Sequence, residues 1–128
     1  MTSNNQIILI IEDDLNTREL YEEVFKKAGF GVDTVGDGAE GLKKAQQGGY
    51  SLVLLDIMVP KVDGLQILSQ LQTHPPKTKN GPIIILTNLA YNQVLAEGLK
   101  LGAQACLIKT DYNPDQLVNK VKSFLENK

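Results

Sequence analysis

Five short apolar runs alternate along the chain with longer segments that have a helical period. Most of the runs are rich in Ile, Leu and Val, and they comprise residues 7–11, 31–35, 52–55, 83–86 and 106–108. Short, nearly continuous apolar runs are typical of strands buried on both faces, as in parallel sheets. The pattern therefore predicts five strands separated by helices.

Helices are predicted after each run, at residues 15–28, about 39–47, 64–73, about 91–101 and 114–125. N-cap residues precede the first three of them: Asp14, Asp37 or Gly38, and Asp63. Pro114 is a favourable first residue for the last helix, whereas Gly98 weakens the fourth by about 1 kcal/mol relative to Ala. Alternating strands and helices imply right-handed crossovers. The predicted fold class is α/β, a doubly wound five-stranded parallel sheet with helices on both faces.

The composition is that of an ordinary globular protein. The chain has 128 residues, of which 42% are hydrophobic and 22% charged, and we expect one domain over residues 1–128 with a polar lead at 1–6. No apolar stretch approaches the roughly 18 to 20 residues of a membrane span, and the lead lacks the features of a signal peptide. The net charge of −2 and the single Cys106 disfavour direct nucleic acid binding and disulfides, and favour a cytoplasmic location.

Polar residues stand where four of the predicted strands end. Glu12 and Asp13 follow the first strand, Asp56 the third, Thr87 the fourth and Lys109 the fifth. In open α/β sheets the carboxyl ends of the strands form the edge at which ligands bind. We therefore expect these five side chains to form one site.

The charges of this expected site favour a divalent cation. Glu12, Asp13 and Asp56 carry three negative charges and Lys109 one positive charge, so a divalent ion brings the sum to zero. Mg²⁺ prefers oxygen ligands and is commonly held by one or two carboxylates together with phosphate oxygens. A phosphoryl group on Asp56 would be neutralised by the metal and Lys109, and Thr87 would donate a hydrogen bond to it. The residues thus indicate that Asp56 is a phosphoryl acceptor.

Motifs in several parts of the chain occur together in register. They are the acidic segment 8–14, the segment 55–60 with the Asp63-Gly64 pair, Thr87 and Lys109. In this order they resemble the response-regulator receiver domain of two-component signalling, the CheY-like superfamily, over nearly the whole chain. The resemblance implies a flavodoxin-like (βα)5 fold and a signalling domain rather than an enzyme. Asp56 would take its phosphoryl group from a histidine kinase or phosphotransfer protein, and the output would be a change of shape.

The resemblance also implies a role for each site residue. Mg²⁺ would be held by Asp13, Asp56 and the backbone carbonyl of Met58, and by Glu12 through a metal-bound water. Lys109 would bind the phosphoryl oxygens, and Thr87 would be drawn toward them. The surface formed by the fourth helix, the last strand and the last helix would then bind a downstream partner or a second copy of the chain.

Two positions depart from the family pattern near the end of the fifth strand. Cys106 stands where receivers often have an aromatic side chain that turns inward, with Tyr91 or Tyr112 as possible substitutes. Thr110 follows Lys109 where the family has a cis proline, so the peptide bond is either trans or strained, since a non-proline cis bond costs about 3 to 4 kcal/mol.

Two further positions bear on how long the phosphoryl group lasts. By resemblance, Met58 and Leu89 flank the phosphoryl group and the path of the attacking water, and both are apolar. Apolar side chains do not position water, so we expect slow hydrolysis of phosphorylated Asp56.

Other functions remain as alternatives. A flavin-binding module would share the fold, but it requires glycine and hydroxyl donors after the first strand, where three acids stand. A Mg²⁺-dependent phosphatase needs a general acid two residues after its nucleophile, where Met58 stands. A receiver-like scaffold that binds partners without phosphorylation stays open because of Cys106 and Thr110.

Simple structural roles are expected for most other polar residues. Asp14, Asp37 and Asp63 are interpreted as helix caps, Cys106 as a core residue and His74 as an exposed loop residue. The sequence does not indicate the cognate kinase, nor whether the domain acts alone or within a larger regulator.

Overall fold

Strands and helices alternate in the predicted order in the computed structural model, which describes residues 5–88 and 92–126. The strands are β1 (Ile7–Ile11), β2 (Gly31–Val35), β3 (Leu52–Leu55), β4 (Ile83–Thr87) and β5 (Ala105–Ile108). The helices are α1 (Leu15–Lys27), α2 (Gly38–Gln47), α3 (Gly64–Thr73), α4 (Asn92–Lys100) and α5 (Pro114–Glu126). A single 3₁₀ turn, Lys109–Asp111, follows β5 and was not predicted.

All five strands are parallel and lie in the order β2-β1-β3-β4-β5. The predicted doubly wound α/β sheet is therefore confirmed. The predicted bounds differ from the observed ones by at most one residue. Tyr91, the first residue of the predicted fourth helix, lies outside the described residues.

The two faces of the sheet support two separate cores, because successive side chains of a strand point to opposite faces. Ile8 and Ile10 of β1 pack with Phe25 of α1 and with apolar residues of α5. Leu9 and Ile11 pack on the other face, where residues of α2 and α3 cover them and α4 adds partly buried side chains. Burial on both faces is the reason that the inner strands β1, β3 and β4 are nearly continuous apolar runs, whereas the less buried edge strand β2 carries Asp33 and Thr34.

The three predicted aspartate caps are confirmed. Asp14, Asp37 and Asp63 each accept a hydrogen bond from a backbone N–H in the first turn of α1, α2 and α3. The Asp63 backbone N–H donates in turn to the Gln66 side-chain oxygen, which completes a capping box. His74 is exposed at the end of α3, as predicted. No helix among the described residues is long and apolar enough to cross a membrane.

Candidate functional site

The strand register brings the predicted site residues together at the carboxyl edge of the sheet. Ile11 of β1 lies opposite Leu55 of β3, so the next residues, Glu12 and Asp56, are neighbours. The Asp56 backbone N–H extends this ladder by donating to the Ile11 carbonyl at 3.1 Å. On the other side, Thr87 pairs with Ile108, which places Lys109 one residue further along the same edge.

The Lys109 ammonium group connects the two buried acids of the site. Its Nζ lies 2.8 Å from Asp56 Oδ2 and 2.5 Å from Glu12 Oε1. The side chains of Lys109, Asp56 and Glu12 are only 15%, 7% and 3% exposed. Burial alone would lower the pKa of Lys109, but its hydrogen bonds to Asp56 and Glu12 and the charges of both carboxylates outweigh burial and raise that pKa. Lys109 is therefore held in its charged form between the two acids.

The second oxygen of Asp56 is held by the loop that follows β3. Asp56 Oδ1 accepts a hydrogen bond from the Met58 backbone N–H at 3.0 Å. Gly64, the first residue of α3, packs directly against this turn, because a Cβ there would lie 2.7 Å from Ile57 Cα and 3.0 Å from the Asp56 carbonyl oxygen. The absence of a side chain at residue 64 lets α3 begin against the backbone of the candidate phosphoryl acceptor.

Contacts with α2 hold the rest of this loop. The Gly38 N–H donates to the Pro60 carbonyl at 2.9 Å, and a Cβ on Gly38 would collide with the Val62 carbonyl oxygen. Lys61 has a φ of 74°, in the left-handed region that is strained for a residue with a Cβ, and its ammonium lies 3.4 Å from Asp37. The loop that carries Asp56 and Met58 is thus fixed at both ends.

Glu12, Asp13 and Asp56 form a cluster that fits a metal ion. Each offers a carboxylate oxygen, and these three oxygens lie within 4.8 Å of one another. Asp13 is exposed, and no hydrogen bond or ion pair joins its carboxylate to the described part of the chain. Three hard oxygen donors at this spacing suit Mg²⁺. The participation of the Met58 carbonyl stays a prediction.

Asp14 takes no part in this cluster, because α1 engages its carboxylate. Asp14 Oδ2 accepts hydrogen bonds from the Thr17 N–H at 2.8 Å and the Thr17 hydroxyl at 2.6 Å. These bonds lower the pKa of Asp14. The interpretation of Asp14 as a cap rather than a ligand agrees with this geometry.

A cleft of about 490 Å³ opens above the cluster. Its walls include Thr87, which is buried at the end of β4, and the exposed Asn88. The Met58 side chain stands in its lining and is 62% exposed. Leu89, the other position expected to flank the phosphoryl group, lies outside the described residues. The cleft has room for a phosphoryl group and water beside Asp56.

The structure describes both residues that depart from the family pattern, Cys106 and Thr110. Cys106 is partly buried and packs against the core on the α2 and α3 face, in agreement with its interpretation as a core residue, and its thiol donates to the Leu95 carbonyl of α4 at 3.6 Å. Tyr112 packs with the α1 and α5 core on the opposite face, so it does not replace the missing aromatic, whereas Tyr91 lies outside the described residues. No peptide bond of the described residues is cis, so the Lys109–Thr110 bond is trans.

Arg18 is a residue of the site that the sequence reasoning missed. Its Nη1 donates to the Glu12 carbonyl oxygen at 3.0 Å. The available signal was its spacing, because a residue four positions after the Asp14 cap lies one helical turn above the acidic loop.

Similarity to known proteins extends over nearly the whole chain. The sequence profile of the response regulator receiver domain family matches residues 8–122. The chain is 35% identical to the transcriptional regulatory protein CpxR homolog of Haemophilus influenzae and 37% identical to the transcriptional regulatory protein HprR of Escherichia coli, in each case over 118 residues, or 92% of its length. These matches cover 49% and 51% of the relatives, so the chain spans about half their length.

Solved structures show the same fold. A CheY-like response regulator receiver domain protein of Methanospirillum hungatei has a TM-score of 0.85 and 27% identity, with 96% of this chain and 95% of that chain covered. A Francisella response regulator receiver domain has a TM-score of 0.82 and 27% identity, with 95% and 98% covered.

Proposed function

The chain belongs to the family of response regulator receiver domains, and from this premise we propose that Asp56 accepts a phosphoryl group from a histidine kinase or phosphotransfer protein. The observation that most supports this role is the environment of the Asp56 carboxylate. It is buried at the end of β3, it is bound by Lys109, and it borders an open cleft beside two further acids. We take residues 1–128 as a single receiver domain.

The transfer exchanges one bond to phosphorus for another. A carboxylate oxygen of Asp56 attacks the phosphorus of a phosphohistidine donor, the new P–O bond forms, and the imidazole nitrogen leaves with the electron pair of the broken P–N bond. Lys109 lies 2.8 Å from Asp56 and compensates negative charge on the phosphoryl oxygens, and the Thr87 hydroxyl donates to one of them. Both groups come from the strand ends that border the same cleft.

The acidic cluster is proposed to hold Mg²⁺. Asp13 and Asp56 would be direct ligands, together with the Met58 carbonyl, and Glu12 would act through a water. When bound, Mg²⁺ supplies further neutralisation of the phosphoryl oxygens. The fit is supported by three carboxylate oxygens within 4.8 Å and by the lack of any partner for the Asp13 carboxylate among the described residues.

The signal is proposed to leave through α4, β5 and α5, toward a downstream protein or a second copy of this chain. Thr87 ends β4 and Lys109 directly follows β5, so a change at either residue reaches the segments that lead into α4 and α5. Leu99 of α4 is exposed and offers an apolar contact. We propose that this cytoplasmic domain itself binds neither nucleic acid nor membrane. In a longer regulator of the kind the relatives represent, such contacts would belong to the remainder of the protein.

Intact mass measurement tests the phosphoryl acceptor directly. The protein is incubated with Mg²⁺ and acetyl phosphate or phosphoramidate, in parallel with Asp56→Asn and with an EDTA-treated sample. Asp63→Asn is the matched control, because this neighbouring acid caps α3 and asparagine caps a helix equally well.

We expect an adduct of one phosphoryl group in the wild type and in Asp63→Asn, and none in Asp56→Asn or with EDTA. An adduct that persists in Asp56→Asn would place the acceptor elsewhere. No adduct with either small donor or with a phosphohistidine donor would refute the proposal and favour a scaffold that works without phosphorylation.

A further inference from the structure

Both polar groups of the Glu12 backbone are held by hydrogen bonds. The Glu12 backbone N–H donates to the Val35 carbonyl of β2 at 3.0 Å. The Glu12 carbonyl accepts the hydrogen bond from Arg18 Nη1 at 3.0 Å. The first bond belongs to the sheet, whereas the second comes from a side chain one turn into α1 and serves no strand ladder.

The Arg18 guanidinium lies in space that a glycine leaves open. A Cβ at Gly36 would lie 2.5 Å from Arg18 Nη1 and 3.3 Å from its Cζ, so the group occupies the space that any other residue at position 36 would fill. Within the described part of the chain, Arg18 forms no ion pair with a carboxylate. Its side-chain hydrogen bond within that part is to the neutral carbonyl of Glu12.

Asp13 depends on this peptide for its orientation. Unlike Glu12 and Asp56, whose carboxylates are both bound to Lys109, Asp13 is exposed, and none of the described residues contacts its carboxylate through a hydrogen bond or ion pair. Since no side chain holds it, its direction is set by the backbone on which it stands.

We propose that Arg18 is a positioning residue for the divalent cation, which it serves by holding the Glu12–Asp13 peptide so that the Asp13 carboxylate faces the acidic cluster. This inference rests on the proposed function, because it concerns the same metal site. Groups that orient metal ligands without touching the metal typically change metal affinity by 10- to 100-fold.

The sign of the effect separates positioning from charge. Arg18 carries a positive charge near the acidic loop, and a positive charge repels a cation. If charge alone acted, removal of Arg18 would tighten Mg²⁺ binding. If Arg18 orients Asp13, its removal weakens Mg²⁺ binding despite the favourable change in charge.

The test measures the Kd of Mg²⁺ by isothermal titration calorimetry, without any phosphoryl donor. Arg18→Met removes the guanidinium, and Gly36→Ala displaces it while leaving the arginine in place. Lys27→Met is the matched control, since it removes one positive charge from the exposed last turn of the same helix. Urea unfolding of each variant verifies that it is folded under the conditions of the titration.

We expect Arg18→Met and Gly36→Ala each to weaken Mg²⁺ binding by about tenfold, the lower end of the range for such residues, and Lys27→Met to leave it unchanged. The double variant should be no weaker than Arg18→Met, because both changes remove the same bond. Unchanged or tighter binding by both single variants, with the wild type binding Mg²⁺, would overturn the inference alone. A wild type that binds no Mg²⁺ would overturn both the inference and the proposed metal site.

Discussion

Replacement of Lys109 by methionine tests whether the three acids need a positive charge to coexist. Methionine keeps much of the length and apolar volume of the lysine stem but removes the ammonium that lies 2.8 Å from Asp56 and 2.5 Å from Glu12. Two nearly buried carboxylates would then share the edge of the sheet with Asp13 and have no cation among them.

The expected loss in the free energy of unfolding follows from the contacts that the two buried acids keep. Removal of one partner from a buried ion pair costs about 3 to 5 kcal/mol, because the other charge is left uncompensated. Each acid keeps one backbone donor, since Met58 N–H binds Asp56 and Asp14 N–H binds Glu12, both at 3.0 Å. These bonds and the water of the open cleft reduce the penalty, so we expect a loss of about 2 to 4 kcal/mol in the free energy of unfolding.

Urea unfolding followed by far-ultraviolet circular dichroism measures this loss at pH 7, with and without saturating Mg²⁺. With a slope of about 2 kcal/mol/M, the middle of the usual range for urea, the midpoint should fall by about 1 to 2 M without metal. Mg²⁺ should restore most of the difference, because it supplies the missing positive charge and stabilises the state that binds it. Lys43→Met, an exposed lysine of α2, should change the midpoint little. A Lys109→Met protein as stable as wild type without Mg²⁺, or one that Mg²⁺ fails to stabilise, would show that the acids do not need the Lys109 charge.

Two further predictions concern phosphoryl lifetime and pH. Met58→Asn, alone or with Leu89→Glu, should speed the loss of the phosphoryl group severalfold, because an amide at this exposed position can orient water; the decay is followed by intact mass. Tyr50→Phe should make the free energy of unfolding fall less steeply with pH above about pH 10. Burial and the 2.6 Å hydrogen bond to Asp33 raise the pKa of Tyr50 above its ordinary value of 10.0. The contribution of Tyr50 to the free energy of unfolding is therefore complete below pH 10 and is lost as pH rises through the raised pKa.

Each of these predictions has a control and a contradicting result. For Met58, the conservative change Met58→Leu should leave the decay rate as in wild type, and equal rates for Met58→Asn would count against the water argument. For Tyr50, the control is Tyr112→Phe, because the Tyr112 hydroxyl has no hydrogen-bond partner within the described residues. If the two phenylalanine variants lose stability in parallel above pH 10, the role given to Tyr50 is wrong.

Much of the fold was predictable because the signals are local. The apolar runs mark strands that are buried on both faces, and Asp14, Asp37 and Asp63 mark helix starts through bonds to residues only three positions away. Alternation of the two elements then implies a parallel sheet. The same rule gathers the strand ends at one edge, which is why Glu12, Asp56, Thr87 and Lys109 were identified as one site.

Contacts between distant parts of the chain could not be predicted from the sequence. The bond from Arg18 to the Glu12 carbonyl depends on how α1 leaves the acidic loop and on the space above Gly36. The placement of Tyr112 on the face opposite Cys106 depends on the 3₁₀ turn after β5. Neither leaves a periodic pattern, because each arises from the docking of one element against another.

The order of the elements, the family resemblance and the five strand-end residues of the site follow from the sequence alone. The tertiary structure was needed to show that Arg18 joins them, that Lys109 bridges Asp56 and Glu12, that Asp13 is the acid without a partner among the described residues, and that the Lys109–Thr110 bond is trans. Local patterns fix which residues reach the edge of the sheet. The distances and hydrogen bonds that form there are fixed by the strand register and by the packing of helices against the loops, which join residues far apart in the chain.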